Sequence, residues 1–441
     1  MTARRTAPES GAARKDRGIA DAVLSLPDSV THGTAAMLAE LNRARPAEQQ
    51  AIDLSIGALD TPTDTRIDDG LVEFIRTSPH LAHAFAPVRG FPFLRESIAA
   101  RTRRLHGIAY DPATEVLVTP GGVKGAISVV FHALLNPGDE VVIPVPNWPH
   151  YADMVRLHGG SPRTVLTTGA GGLTAPALAE ALGPNTKIVI LGDCINPTGK
   201  VYSTAELTAL AEVLARHNTR READGRSPVH VLFDTPYEAH VPGPRAATFA
   251  AIEARRPDGT PVPVRPWTVH VTGPGKTYGM HGDRIGYLCG PPDLVDAAAR
   301  AQVNLTSFAS TYGQFATHVA LSPDLDEVPV ARARAARANL EAVLDELRTV
   351  PSLHIDVPQG GYFLFADFSA FADAYRRRGH ATADAFLLAE AGVATLCGSH
   401  FTDGHPLDHL VRINCGRTGT ILSEAARRIR AALDRLDRPD P

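Results

Sequence analysis

One lysine, Lys276, lies in a glycine-lined turn within GPGKTYGMHGDRIGY, residues 273–287. Glycine lets a backbone approach a ligand closely, so a lysine in such a turn is accessible to a carbonyl compound. Arg284 follows it by eight residues and could bind an anion beside it. An ordinary surface loop would also accommodate one lysine, and the residues that follow the other predicted strands decide between the two interpretations.

Polar and aromatic residues follow four other short apolar segments that the sequence predicts as strands. After residues 115–119, the turn GGVKG begins a helix whose first N–H groups could bind an anion. The residues that follow these four segments are Gly122, Val123 and Lys124, then Trp148, then Asn196, and finally Asp234 with Tyr237. Because ligands of an open parallel sheet bind at the carboxyl ends of its strands, we expect these residues to meet at one site.

One ligand would use all of these groups. A phosphate would bind at the helix start, and an aromatic ring would stack on Trp148. Asp234 would hold a protonated ring nitrogen, and Lys276 would condense with an aldehyde. A ring oxygen would accept hydrogen bonds from Asn196 and Tyr237. Pyridoxal phosphate carries every one of these groups, so the sequence predicts a pyridoxal phosphate site.

The elements that must position these residues alternate along the chain. Six short β-branched segments are predicted as buried strands, at residues 115–119, 140–145, 187–191, 229–233, 268–272 and 285–289. Helical patterns separate them, and one begins at Ser203 with Glu206 three residues later, which is the pattern of a capping box. This alternation predicts an α/β fold with a mostly parallel sheet that has helices on both faces.

The pattern of the sequence changes after about residue 325. A helix over residues 330–350, the segment GGYFLFADFS, a helix near residues 381–391 and the strand HLVRINC together predict a smaller α+β domain. Residues 256–266 are predicted as a surface loop. The predicted divisions are a disordered tail at residues 1–20, an N-terminal segment at 21–55 that packs with the small domain, a large domain at 56–322 and the small domain at 323–441.

The composition argues against several classes of protein. Hydrophobic residues make up 44% of the chain and charged residues 21%, which is enough to bury a sizeable core. The net charge of −4 gives no reason to expect nucleic acid or a membrane surface as a partner. No apolar run is long enough to span a membrane, and the four cysteines lack C-x-x-C spacing, so we expect a cytoplasmic protein without a metal site.

Six motifs occur in order along the chain. They are FAPVRGFPFLRESIA, VTPGGVKGAISVVFHALLNPGDEVVIPVPNWPHY, NPTGKVYS, VLFDTPY, GKTYGMHGDRIGYL and VRIN. In this order they resemble the fold-type I pyridoxal-phosphate enzymes, specifically the class I/II aminotransferase superfamily, from about residue 54 to residue 418. The resemblance implies a fold-type I architecture with a seven-stranded, mostly parallel sheet in the large domain, and a homodimer with shared active sites.

The resemblance also implies the roles of individual residues. Lys276 would form the Schiff base and carry the proton, Arg412 would bind the α-carboxylate of the amino-acid substrate, and Phe85 would come from the partner subunit. The implied catalytic residues are Lys276, Asp234 and Tyr237. The implied cofactor-binding residues are Gly122, Val123, Lys124, Trp148, Asn196, Asp234, Tyr237, Lys276, Arg284 and Phe85. The implied substrate-binding residues are Gly57, Asn196 and Arg412.

Three positions differ from the usual pattern of the family. The tripeptide Gly-Pro-Gly precedes Lys276 where Ser-x-Ser is usual, so a hydroxyl that binds phosphate is missing, and Lys124 could replace it. Phe85 stands where a tyrosine is usual, and residues 300–310 lack a clear arginine to bind a second carboxylate. These differences favour a specialised reaction of secondary metabolism and make aspartate or glutamate a less favoured substrate.

Two other functions are possible besides aminotransfer. The same site could expel a β- or γ-leaving group, or cyclise or oxidise a substrate such as S-adenosylmethionine or an arginine-like amino acid. A ligand-sensing regulator would need an attached DNA-binding domain, and the residues before the large domain show no helix-turn-helix pattern. We therefore expect an aminotransferase-like enzyme that acts on an amino acid, with the elimination, cyclisation or oxidation enzyme as the alternative.

Overall fold

The structure is a computed structural model that describes residues 18–27, 30–43, 45–46, 49–167, 171–242 and 248–436. The predicted disordered tail covers residues 1–20, of which residues 1–17 lie outside the described ranges. Within those ranges, each helix is too short or too polar to cross a membrane.

The largest sheet among the described residues has seven strands. They are β1 (Val116–Pro120), β2 (Glu140–Val145), β3 (Ser161–Leu166), β4 (Thr186–Gly192), β5 (His230–Asp234), β6 (Thr268–Thr272) and β7 (Ile285–Cys289). Their order across the sheet is β1-β7-β6-β5-β4-β2-β3. Strand β7 is antiparallel to both of its neighbours, and the other pairs are parallel. The predicted α/β fold with a mostly parallel seven-stranded sheet is confirmed.

Strand β3 and a short hairpin lie outside the sequence prediction. The sequence of β3, SPRTVL, contains a proline, and its side chains are exposed or partly exposed. Because β3 is an edge strand that pairs with β2 on one side, it tolerates proline and polar residues and lacks the pattern of a buried strand. Within the predicted surface loop at 256–266, Pro261–Pro263 pairs antiparallel with Glu253–Arg255.

Helices cover both faces of the large sheet. Leu117 packs in the cluster that includes the Val123–Leu134 helix. Val116 and Val118 point to the opposite face, in the cluster that includes the Pro92–His106 helix. The α-helices of this part of the chain are Asp21–Leu24, Val30–Arg43, Thr65–Thr77, Pro79–Ala82, Pro92–His106, Val123–Leu134, His150–Leu157, Ala175–Ala181, Thr204–Ala223, Pro274–Tyr278, Pro292–Leu305 and Thr311–Ala320. The short 3-10 helices are Glu238–His240, Phe249–Ala251 and Arg265–Trp267.

The small domain is built around an antiparallel sheet. Its strands are β8 (His354–Ile355), β9 (Phe363–Asp367), β10 (Leu396–Cys397) and β11 (Leu410–Asn414). Their order is β8-β9-β11-β10. The helices are Glu327–Leu347, Ala372–Arg377, Ala383–Phe386 and Gly419–Leu436, with a π-helix at Leu387–Ala391 and 3-10 helices at Pro323–Leu325, Ser369–Phe371 and Gly398–Phe401.

The segment that precedes the large domain contacts the small domain. Strand Ile52–Asp53 pairs in parallel with Val393–Ala394. Arg428 Nη1 on the last helix donates a 2.9 Å hydrogen bond to the Gln50 carbonyl. These contacts agree with the packing expected for residues 21–55, and the domain boundaries themselves stay predictions.

A buried ion pair anchors the turn that follows β5. Arg101, on the Pro92–His106 helix, donates from Nη2 to Glu238 Oε1 at 2.6 Å, and the other carboxylate oxygen lies 3.3 Å from His106 Nε2. Both Arg101 and Glu238 are buried. Burial alone would raise the pKa of Glu238, but the charge of Arg101 and the contact with His106 hold it well below its usual range. The pair therefore fixes the backbone directly after Tyr237.

We predict that Glu238→Ala lowers the free energy of unfolding by about 3–5 kcal/mol, because it leaves the Arg101 guanidinium buried and unpaired. The matched control is Glu341→Ala, which removes an exposed i,i+4 ion pair with Arg337. That control should cost no more than about 0.5 kcal/mol. Urea unfolding measures both, and equal losses for the two variants would contradict the anchoring role.

Candidate active site

Lys276 lies on a short helix, Pro274–Tyr278, that begins directly after β6. A Cβ atom at Gly273 would lie 2.7 Å from the Ile285 carbonyl oxygen, so glycine lets the turn pass close to β7. The Lys276 Nζ donates a hydrogen bond to the carbonyl oxygen of Gly57. Burial, together with the charges of Arg412 and Arg284, lowers the pKa of Lys276 to about 8. Roughly a tenth of the amine is therefore neutral at pH 7, far more than for an ordinary lysine.

Asp234 ends β5 and is only 5% exposed. Its Oδ2 accepts a 2.5 Å hydrogen bond from the hydroxyl of Tyr151, whereas its Oδ1 is buried and has no hydrogen-bond partner among the described residues. Burial raises the pKa of Asp234 to about 7, and the Tyr151 hydrogen bond opposes that rise. A buried carboxylate oxygen without a donor is costly, so Oδ1 is suited to a positively charged N–H donor.

Arg412 lies on β11 and is 3% exposed. Its Nη1 donates to Asn196 Oδ1 at 2.9 Å. The rings of Phe363 and Phe401 lie 4.7 Å and 5.1 Å from the guanidinium carbon. Burial lowers the pKa of Arg412 to about 10, so it remains charged at neutral pH, and its Nε is buried without a partner among the described residues. The guanidinium therefore retains a donor for an anionic ligand.

The carbonyl oxygens of residues 55–58 accept hydrogen bonds from side chains of the site. The donors are Arg412 for Ser55, Asn414 for Ile56 and Ala58, and Lys276 for Gly57. A Cβ atom at Gly57 would lie 3.1 Å from the Phe363 ring and 3.5 Å from Arg412 Nη1. Gly57 therefore lies beside the arginine predicted to bind a substrate carboxylate.

The turn before the Val123–Leu134 helix contacts Arg284. Gly122 has φ +72°, which favours glycine, and its N–H donates to the Arg284 carbonyl at 2.9 Å. Arg284 Nη2 donates to the Gly121 carbonyl at 2.6 Å, and a Cβ atom at Gly122 would lie 3.1 Å from that nitrogen. The predicted anion site thus combines a helix start at Val123 with an exposed guanidinium.

The aromatic residues predicted for the site lie around these charged groups. Lys124 Nζ lies 5.3 Å from the Trp148 ring centroid, and burial and the charge of Arg284 lower the pKa of Lys124. The Trp148 ring packs edge-on against Tyr151. Tyr237 is buried, and Lys276 Nζ lies 6.0 Å from its ring centroid.

Phe85 is the one predicted site residue that the described contacts do not connect to the others. Phe85 is 91% exposed, and its ring centroid lies 5.7 Å from that of Phe308. A large apolar side chain with this exposure is available for contact with another molecule.

Sequence reasoning missed two tyrosines that contact the site. Tyr151 follows Trp148 by three residues in PNWPHY, a spacing that brings the two rings together at the start of a helix. Tyr362 donates from its hydroxyl to Gly57 at 3.3 Å and precedes Phe363 in GGYFLF. A signal for Tyr151 was therefore present in the sequence, whereas the contact of Tyr362 depends on the packing of the small domain.

Comparisons with known proteins identify a family for nearly the whole chain. Residues 49–429 match the family model described as aminotransferase class I and II. An aspartate aminotransferase of Bacillus sp. (strain YM-2) is 30% identical over 420 residues, which cover 93% of this chain and 98% of the relative. An asparagine–oxo-acid transaminase of Streptococcus mutans serotype c is 29% identical over 419 residues, which cover 94% and 98%.

Solved structures show the same similarity. The aspartate aminotransferase of Thermus thermophilus with maleate has a TM-score of 0.81 and 28% identity, and the match covers 94% of this chain and 100% of that one. The N-succinyldiaminopimelate aminotransferase of Mycobacterium tuberculosis has a TM-score of 0.80 and 27% identity, with the same coverage. The similar proteins thus carry the names of different substrates.

We predict that in protein prepared without pyridoxal phosphate the Lys276 amine reacts with an acylating reagent with a midpoint near pH 8. Only the neutral amine reacts, and burial and nearby positive charges disfavour the ammonium. Arg412→Gln removes one of those charges and should raise the midpoint, whereas Arg337→Gln at an exposed ion pair should leave it unchanged. Peptide mass spectrometry across pH follows the reaction, and an unmoved midpoint in Arg412→Gln would contradict the assignment.

Proposed function

Since the chain belongs to the aminotransferase class I and II family and is an enzyme that uses pyridoxal phosphate, we propose that the site around Lys276 transfers the amino group of an amino acid to an oxo acid. The predicted family, fold type, enzyme class and cofactor are confirmed by the family match and the similar structures. The observation that carries the assignment of the site is the buried Oδ1 of Asp234, which has no hydrogen-bond partner in the part of the chain that the structure describes.

The residues present fit pyridoxal phosphate. Asp234 Oδ1 has no donor within the described ranges and would accept a hydrogen bond from the protonated ring nitrogen. The turn at Gly122 and the guanidinium of Arg284 would bind the phosphate, with Lys124 beside them in place of a hydroxyl. Tyr237 and Asn196 would donate to the ring oxygen, and Trp148 would stack on the ring; these two assignments rest on the resemblance of the motifs. The fit supports Lys276 as the lysine that bonds the cofactor.

When bound, pyridoxal phosphate withdraws electrons from Cα of an attached amino acid and so makes its proton acidic. Lys276 would remove that proton, because its amine is partly neutral near neutral pH. The same amine would hold the proton once it has left Cα. Asp234 keeps a negative charge at the ring nitrogen throughout, since a cationic partner at Oδ1 stabilises its ionised form.

Arg412 would orient the substrate. Its guanidinium is held by Asn196 and Ser55 and by the two flanking rings. Its Nε, which has no partner among the residues that the structure describes, therefore has a fixed direction. A substrate carboxylate that accepts from Nε would place the amino acid against Gly57, where the absence of a side chain leaves room. A fixed arginine would bring Cα close to the Lys276 amine. It would raise the rate because the substrate is already oriented, which lowers the entropic cost of reaching the transition state.

Three finer points belong to this proposal. The three departures from the family pattern, at residues 273–275, at Phe85 and at residues 300–310, support a specialised reaction in secondary metabolism. They also support a substrate other than aspartate, although several relatives are named for aspartate. A cytoplasmic location agrees with four buried cysteines that carry free thiols.

We predict that cofactor-loaded protein, given a panel of amino acids with arginine and S-adenosylmethionine among them, converts one of them to its oxo acid and leaves pyridoxamine phosphate. Lys276→Ala should lower the rate of oxo-acid formation by about 10²–10⁴-fold, because the group that carries the proton is lost. The surface variant Lys187→Ala is the matched control. Mass spectrometry identifies the products.

Release of ammonia, a thioether fragment or a cyclised product without pyridoxamine phosphate would instead favour the elimination, cyclisation or oxidation enzyme. Undiminished turnover by Lys276→Ala would contradict the assignment of the lysine.

The proposal includes a homodimer in which each subunit contributes Phe85 to the other subunit's site. Its support is the family resemblance together with the 91% exposure of this phenylalanine in one chain. The ring projects into open space beside Phe308, and burial against a second copy would remove its apolar surface from water.

We predict that Phe85→Arg and Lys276→Ala each abolish most activity and that mixing the two unfolded proteins before refolding restores some of it. Recovery should approach about a quarter of the wild-type activity, because half of randomly formed dimers are hybrids and each hybrid has one intact site. Steady-state assays of the mixture measure it. A mixture no more active than its separate components, or full activity of Phe85→Arg alone, would contradict a shared site.

A further inference from the structure

The carbonyl oxygen of Gly57 accepts two hydrogen bonds. One comes from Lys276 Nζ, and the other comes from the hydroxyl of Tyr362 at 3.3 Å. A carbonyl oxygen has two lone pairs and can accept both at once. The amine and the phenol therefore share one acceptor at the centre of the site.

This inference rests on the proposed function, in which Lys276 forms a covalent bond with the cofactor. To form that bond, the Lys276 amine has to leave the Gly57 carbonyl. A carbonyl in a protein interior that loses its donor is destabilised because water does not fully replace the lost hydrogen bond. Each attachment of the lysine to the cofactor would then carry a free-energy cost unless a second donor stays in place.

Tyr362 is placed to be that second donor. It is 0% exposed, and the rings of Tyr237, His240 and Phe363 lie 5.6 Å, 5.1 Å and 4.6 Å from its own. Because these rings enclose its side chain, the hydroxyl has little freedom to turn away from the Gly57 carbonyl. A distance of 3.3 Å is long for a hydroxyl donor, whose usual distance is about 2.7–2.8 Å, and it can shorten when the competing amine leaves.

The position of the carbonyl itself does not depend on the lysine. Asn414 Nδ2 donates to the neighbouring carbonyls of Ile56 and Ala58 at 2.6 Å and 3.0 Å. These two bonds hold the peptide groups that precede and follow the one containing the Gly57 carbonyl. The Gly57 oxygen therefore keeps its direction when Lys276 departs.

We propose that Tyr362 is a positioning residue that keeps the Gly57 carbonyl hydrogen-bonded whenever Lys276 is bonded to the cofactor, and so lowers the free-energy cost of moving the lysine between the two. Tyr362 touches neither the reacting atoms nor the substrate in this role. It acts on Lys276 through the shared acceptor.

The experiment compares two forms of the cofactor. Pyridoxal phosphate requires Lys276 to leave Gly57, whereas pyridoxamine phosphate has no aldehyde and leaves the lysine in place. Tyr362→Phe should weaken the binding of pyridoxal phosphate by about tenfold, the factor that corresponds to ~1.4 kcal/mol, and leave the Kd of pyridoxamine phosphate within about twofold. Absorbance and fluorescence titrations of cofactor-free protein give both constants.

Two controls isolate the effect. Tyr375→Phe removes the hydroxyl of another buried tyrosine, which lies in the core of the small domain, and should change neither constant. In a Lys276→Ala background no lysine leaves the carbonyl. There, Tyr362→Phe should change the Kd of pyridoxal phosphate and of pyridoxamine phosphate by the same factor. Retained binding of pyridoxamine phosphate shows that the variant is folded.

Equal weakening for both ligands would show that Tyr362 only shapes the pocket and would overturn the proposal. Unchanged binding of both would show that another donor replaces the hydroxyl, and it would overturn the proposal as well. Failure of the wild-type protein to form a covalent adduct at Lys276 would be a different result, because it would remove the proposed function and this inference with it.

Discussion

The buried guanidinium of Arg412 joins three parts of the chain that are distant in sequence. It lies on β11 of the small domain and donates to Asn196, after β4 of the large domain, and to Ser55 in the preceding segment. A buried charge is tolerated only where acceptors surround it, so the three parts must meet in one arrangement. The segment that contains Gly57 is thereby held beside Lys276. Arg412, together with Asn414 on the same strand, therefore fixes the position of this segment relative to the Lys276 amine.

Burial shifts the two central ionisable groups of the site toward their neutral forms. It lowers the pKa of Lys276 to about 8 and raises that of Asp234 to about 7. A neutral amine can attack a carbonyl and accept a proton, whereas an ammonium cannot. Asp234 gains most from a cationic donor because it lacks one, and the Tyr151 hydroxyl keeps its other oxygen oriented. The same desolvation thus favours a nucleophilic lysine and makes the ionised form of Asp234 depend on a cationic partner.

The sequence allowed the fold class and the residues at the strand ends to be predicted, because β-branched segments and glycine turns are local patterns. Lys276 and Asp234 follow such segments directly. Tyr151 and Tyr362 were missed because the hydroxyl of a buried tyrosine finds its partner through packing, and their partners lie 83 and 305 residues away in the chain. Strand β3 was missed for a different reason, since its edge position removes the need for an apolar pattern.

The antiparallel direction of β7 places Lys276 and Arg284 at the same edge of the large sheet. The amino end of β7 lies at the same edge of the sheet as the carboxyl end of β6. The chain therefore passes from Lys276 to Arg284 through one short connection, and covalent geometry limits the separation between the Lys276 amine and the guanidinium that we propose binds phosphate. Arg412 reaches the same place only through packing of the small domain. A shift of the small domain would move the Arg412 guanidinium and the Tyr362 hydroxyl relative to Lys276, while the short connection between Lys276 and Arg284 would stay the same.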